Sequence, residues 1–144
     1  MESEPLPLVP IVLQAGRRRL AGAGLVDSGS ESSFIGRETA DLLGLAPRAP
    51  IVQVRTMGGL VDSRPATLSL ELRLPHGPFT FPEARFLIPE SGDEPRVVIL
   101  GRELLFSQCE IRFVEWRNLI GIVRRRRAWR NHGVPRLARP EPSP

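Results

Sequence analysis

The sequence predicts an all-β chain with one or two short helices. Leu68, Leu70, Leu72 and Leu74 alternate with Thr67, Ser69, Glu71 and Arg73, the period of two that a half-buried strand demands. Short β-favouring runs elsewhere are separated by Gly- and Pro-bearing turns. The two segments that suit a helix, 37–43 and 102–106, are short, and each follows a glycine-bearing stretch.

In chain order, residues 1–6 read as a loose, acidic, proline-containing arm. A strand is expected over 8–13, with Pro10 suggesting an edge or a bulge. Ala15-Gly16-Arg17 turns the chain, and 19–26 returns as a strand that delivers Asp27 at its end. A short β-favouring piece at 32–35 precedes the helix at 37–43, with Gly44 as its C′ residue. Residues 51–55 form a strand candidate, and the Gly58-Gly59 pair marks a hairpin tip. The alternating strand at 66–74 turns at His76-Gly77-Pro78, and 79–88 runs back, interrupted by Pro82. The apolar run 96–100 reads as a strand buried on both faces. Two more strands, 110–114 and 119–123, flank a turn at Trp116-Arg117-Asn118.

Length and composition set the bounds. A chain of 144 residues suggests one domain with a real core. No run approaches the ~18 apolar residues of a membrane span, and no N-terminal apolar region of signal-peptide type is present. A single cysteine, Cys109, excludes a disulfide framework and makes a reducing, cytoplasmic setting the expectation. All 20 basic residues are Arg. Seven of them lie from Arg124 onward with one acid, Glu141, so residues 1–123 sum to about −2 and are not a basic domain. Residues 7–123 are therefore read as the domain, and 124–144 as a disordered Arg/Pro-rich tail. Without aromatic interleaving beyond Trp129, that tail is read as solvated rather than as a nucleic-acid site. Two His and one Cys at these spacings make no metal site. There is no P-loop, dinucleotide fingerprint or G-x-S-x-G elbow, and no cofactor is expected.

Two stretches stand out. Leu25-Val26-Asp27-Ser28-Gly29-Ser30 runs apolar residues straight into a carboxylate, a hydroxyl and a glycine, which a strand interior avoids. Ile99-Leu100-Gly101-Arg102-Glu103-Leu104-Leu105 has the look of its partner. With Met57-Gly58-Gly59 between them and Cys109-Glu110-Ile111-Arg112-Phe113 after them, the chain resembles the retropepsins, the dimeric aspartic proteases of retroviral type, and most closely their bacterial relatives. The match covers roughly residues 7–114. Leu60-Val61-Asp62-Ser63 repeats the apolar-Asp-Ser pattern but ends in Arg64, not Gly; Asp62 is read as an exposed residue on a hairpin arm.

The resemblance implies a retropepsin-like half-barrel that is active as a homodimer. Asp27 is then the catalytic residue, and Asp27 of a second copy supplies the other carboxylate. Ser28 would hydrogen-bond across the two-fold axis, and Gly29 would let backbone and substrate approach. The Ser30 hydroxyl is expected to bond the carboxylate and shift activity toward acid. Arg102, beside Gly101, is expected to reach Glu31 in an ion pair that supports the loop. Met57, Gly58 and Gly59 would form the flap over an extended peptide. The implied activity is aspartic endopeptidase; the alternative is a catalytically inactive member of the fold used for dimerisation or peptide binding.

Overall fold

The computed structural model describes residues 6–56, 58–91, 95 and 97–124. Of the sequence readings, the arm over 1–6 apart from Leu6, Met57, Arg96 at the head of the strand expected over 96–100, and the tail over 124–144 apart from Arg124 lie outside them. The described chain is mostly strand, with three short helical segments, the last a 3-10 turn at Glu115–Arg117.

Strands β1 (Leu8–Ala15) and β2 (Arg18–Val26) form an antiparallel hairpin closed by Gly16, whose φ of +58 takes the turn where a Cβ would be strained. Helix α1 (Arg37–Leu42) follows, burying Ala40 and Leu43 but leaving Leu42 exposed. It ends at Gly44 with φ +68, the left-handed C′ residue that glycine favours. Strands β3 (Val52–Thr56) and β4 (Gly59–Leu74) make a second hairpin, and β5 (Gly77–Pro89) pairs along the lower part of β4. Strand β6 (Val98–Leu100) leads into a π-helical turn at Arg102–Phe106. Strands β7 (Cys109–Val114) and β8 (Leu119–Arg124) close the chain as a separate two-stranded sheet.

The main sheet runs β3-β4-β1-β2-β6, with β5 on β4. Three details depart from the sequence expectations. The flap-side arm and the alternating strand are one continuous strand of 16 residues, because residues 59–63 pair with β3 while 63–74 pair with β5. Strand β1 is interior, between β4 and β2. Pro10 is tolerated there because β4 pairs only with Ile11–Gln14, leaving Pro10 beside β2 alone, where the missing N–H breaks no ladder. Pro82 does not interrupt β5 but sits in a bulge. Leu68 pairs with Ala84 and Leu70 with Phe81, so two residues of β5 oppose one of β4.

Alternation along β4 puts Leu68, Leu70 and Leu72 inside, against Ile11, Leu13, Phe81 and Phe86. Each such side chain contributes about 1.5–3 kcal/mol by leaving water. The β7–β8 hairpin buries Cys109 and Ile122 in the same core, and the Arg124 guanidinium lies over the Phe79 ring at 5.3 Å from its centroid. No helix among the described residues is long and apolar enough to cross a membrane.

Candidate active site

The site is built where β2 ends. Strand β2 runs parallel to β6, with Gly24, Leu25 and Val26 opposite Val98, Ile99 and Leu100. Gly24 is the small residue this pairing requires, since a Cβ there would stand 2.7 Å from Leu100 Cδ1. At the end of β2 the Val26 N–H donates to the Pro7 carbonyl at 2.9 Å, and the Asp27 N–H donates to the Leu100 carbonyl at 3.0 Å. The apolar run thus ends in a fixed backbone position from which the Asp27 side chain emerges half-buried.

Within the loop, the Gly29 N–H donates to Asp27 Oδ1 at 2.9 Å, and the Ser30 N–H donates to the Asp27 carbonyl at 3.3 Å. The carboxylate is therefore aimed by its own loop, with one oxygen held by a backbone donor. A Cβ on Gly29 would sit 3.2 Å from Oδ1, tighter than most contacts of its kind. Ser28 is exposed, and its hydroxyl has no hydrogen bond among the described residues.

Two expectations about side chains take a different form. The Ser30 hydroxyl donates to the Ser32 carbonyl at 2.7 Å and not to the Asp27 carboxylate; a short turn satisfies it locally. Arg102 and Glu31 are both exposed, and no ion pair joins them among the described residues. The two stretches are joined by backbone instead. The Arg102 N–H donates to the Ser30 carbonyl at 2.8 Å, and the Glu103 N–H to the Glu31 carbonyl at 2.9 Å. Three residues past Glu31, Phe34 bridges Ile99 in both directions, at 3.0 and 2.9 Å. Gly101 is buried at the centre of this junction, against the backbone of Ser30 and Ser32.

Gly58 and Gly59 lie at the tip of the β3–β4 hairpin, both exposed. Thr56 faces Gly59 across the turn and donates its hydroxyl to the Gly59 carbonyl at 2.9 Å. Asp62 lies exposed on the same arm, paired with Gln53, with none of the loop contacts that surround Asp27.

Two features of this region had no place in the sequence reading. Ser33 is a buried hydroxyl that accepts the Gly101 N–H at 2.9 Å. The only cue was a polar residue directly before the apolar Phe34-Ile35 pair. Arg64 and Glu90 form an ion pair at the base of the β3–β4 hairpin. Arg64 also donates to the Ala49 carbonyl at 3.0 Å, and the Glu90 N–H donates to the Asp62 carbonyl at 2.8 Å. Only the fold brings these distant positions together. Cys109, buried in β7, has its thiol pushed up to about 11 by burial, against a smaller opposing pull from the Arg124 charge.

A family model described as aspartyl protease matches residues 16–104, from the β1–β2 turn to the π-helical turn. That span holds both junction stretches and the hairpin between them. No curated protein matches the chain.

Proposed function

Because the chain belongs to the aspartyl protease family of retropepsin-like type, we propose that it is an endopeptidase whose site is completed by a second copy of itself. The observation that carries this reading is the Asp27 loop. One carboxylate, emerging half-buried, has one oxygen held by the Gly29 N–H and its backbone locked to β6 through Leu100. The family's chemistry needs two carboxylates, and this chain carries one such loop. Two-fold symmetry supplies the second, as Asp27 of the other copy.

Two carboxylates brought that close cannot both ionise, so the pair shares one proton. The charged one takes a proton from a water held between them, and the water attacks the peptide carbonyl. The protonated one gives its proton to the carbonyl oxygen. The adduct collapses as the newly protonated carboxyl gives its proton to the leaving nitrogen and the C–N bond breaks, while the other carboxylate takes a proton back from a hydroxyl. The two Asp27 thus exchange roles across the axis, and no cofactor takes part. Ser28, exposed beside Asp27 and without a hydroxyl partner among the described residues, bonds across the same axis in this reading. The glycine tip of the β3–β4 hairpin lends backbone N–H groups to the bound peptide, and its lack of side chains at 58 and 59 allows that approach.

The test is a digest of casein and of a peptide library from pH 4 to 7, with Asp27→Asn alongside. Cleavage by the wild-type chain that is lost in Asp27→Asn supports the reading. Cleavage that survives the substitution contradicts it. Absence of cleavage in both, with a dimer by light scattering, favours a non-catalytic binding module.

A further inference from the structure

We infer that Ser33 is a positioning residue for Asp27, acting through the peptide group between Leu100 and Gly101. This rests on the protease reading above. The Leu100 carbonyl accepts the Asp27 N–H at 3.0 Å. The N–H of the same peptide group, on Gly101, donates to the Ser33 Oγ at 2.9 Å. A peptide group is planar and rigid, so its two ends move together. Ser33 fixes one end and Asp27 hangs from the other. Hydrogen bonds at both ends also polarise the group, each strengthening the other.

Ser33 suits this task for three reasons. It is 3% exposed, so water does not stand in for its hydroxyl. Its own backbone is held from the far side, its carbonyl accepting the Leu87 N–H of β5 at 2.8 Å. The next residue, Phe34, is bonded to Ile99 of β6. The hydroxyl is therefore presented from a stretch whose backbone is tied to both β5 and β6. The other buried serine among the described residues, Ser63, has an Oγ without a partner; burial of a hydroxyl alone does not produce such a link.

Removing the hydroxyl leaves the Gly101 N–H buried and unpaired. The Leu100–Gly101 plane is then free to tilt, and with it the Asp27 backbone. Chemistry suffers more than peptide binding, because the substrate's remote contacts are untouched. Threonine restores the hydroxyl. Ser33 lines, with Ser32, Leu87 and Leu104 among others, a groove of about 260 Å3.

The experiment compares Ser33→Ala and Ser33→Thr in the full chain, with Asp27→Asn as reference. Peptide cleavage gives kcat and KM, and NMR gives amide exchange at Asp27, Gly101, Leu70 and Leu72. For Ser33→Ala, kcat falls about tenfold or more while KM stays within about twofold. Exchange at Asp27 and Gly101 speeds up about tenfold, and exchange at Leu70 and Leu72 keeps the wild-type rate. Ser33→Thr restores both readouts. The inference is overturned if Ser33→Ala leaves Asp27 exchange unchanged, loosens β4 equally, or lowers kcat in a way that threonine does not rescue. A wild-type chain that cleaves nothing ends the protease reading, and the exchange rates then decide alone whether Ser33 holds the Asp27 loop.

Discussion

Gly101 and Ser32 meet backbone to backbone, so closely that a Cβ on Gly101 would stand 2.6 Å from the Ser32 carbonyl carbon and 2.8 Å from the Ser30 oxygen. Through this contact the turn after β6 is pressed into the Asp27 loop.

Gly101→Ala therefore forces the two backbones apart. It is expected to cost about 3 kcal/mol or more in urea unfolding, in the range of severe overpacking. Gly22→Ala is the control. A Cβ there meets nothing within 4 Å, and its stability stays within about 0.5 kcal/mol of wild type. Equal losses at the two positions would show that the junction is not under this constraint.

Ser30 gives a prediction of opposite kind. Its hydroxyl is spent on the Ser32 carbonyl, not on Asp27. Ser30→Ala should lower stability by about 1 kcal/mol and leave the pH profile of cleavage where it was. A shift of the acid limb on removing the hydroxyl would place it back on the carboxylate.

The site was legible in the sequence to the extent that its chemistry is local. An apolar run ending in Asp-Ser-Gly and a second ending in Gly-Arg-Glu announce themselves, as does the alternation of Leu68 to Leu72. What joins them was not legible. The resemblance implied an ion pair between Arg102 and Glu31, whereas the link is made by the N–H groups of Arg102 and Glu103, which nearly every residue type carries. Ser33 reads as one more serine until β6 is laid beside it. Pro10 looked like an edge marker because sequence does not show where the β4 pairing stops.

Arg64 and Glu90 brace the foot of the β3–β4 hairpin while being about one-third exposed. Such a pair adds little to global stability. Arg64→Gln should change the unfolding free energy by less than about 1 kcal/mol. It should still raise KM a few-fold by loosening the hairpin proposed to close on substrate. A KM unchanged from wild type would separate this brace from peptide binding.

Cys109 sets an alkaline limit. Its thiol, pushed up to about 11 by burial, keeps its proton in the folded chain at pH values where an unfolded cysteine, near 8.5, has lost it. The unfolded state thus binds fewer protons above that value, and stability falls as pH rises toward the folded value. The loss should reach roughly 3 kcal/mol by pH 11 and should be smaller in Cys109→Ala. Below pH 8 the two chains should show the same flat dependence from this residue. A Cys109→Ala chain that loses as much between pH 9 and 11 would assign the loss to another group.

The most direct test of the central claim is a mixing titration of wild-type chain with Asp27→Asn chain at fixed total concentration, followed by the rate of peptide cleavage. If each active site takes one Asp27 from each of two copies, mixed dimers are inactive and the rate follows the square of the wild-type fraction. An equal mixture then gives about a quarter of the wild-type rate. A rate of about half, falling linearly with the wild-type fraction, would mean that one Asp27 suffices and would contradict the shared site.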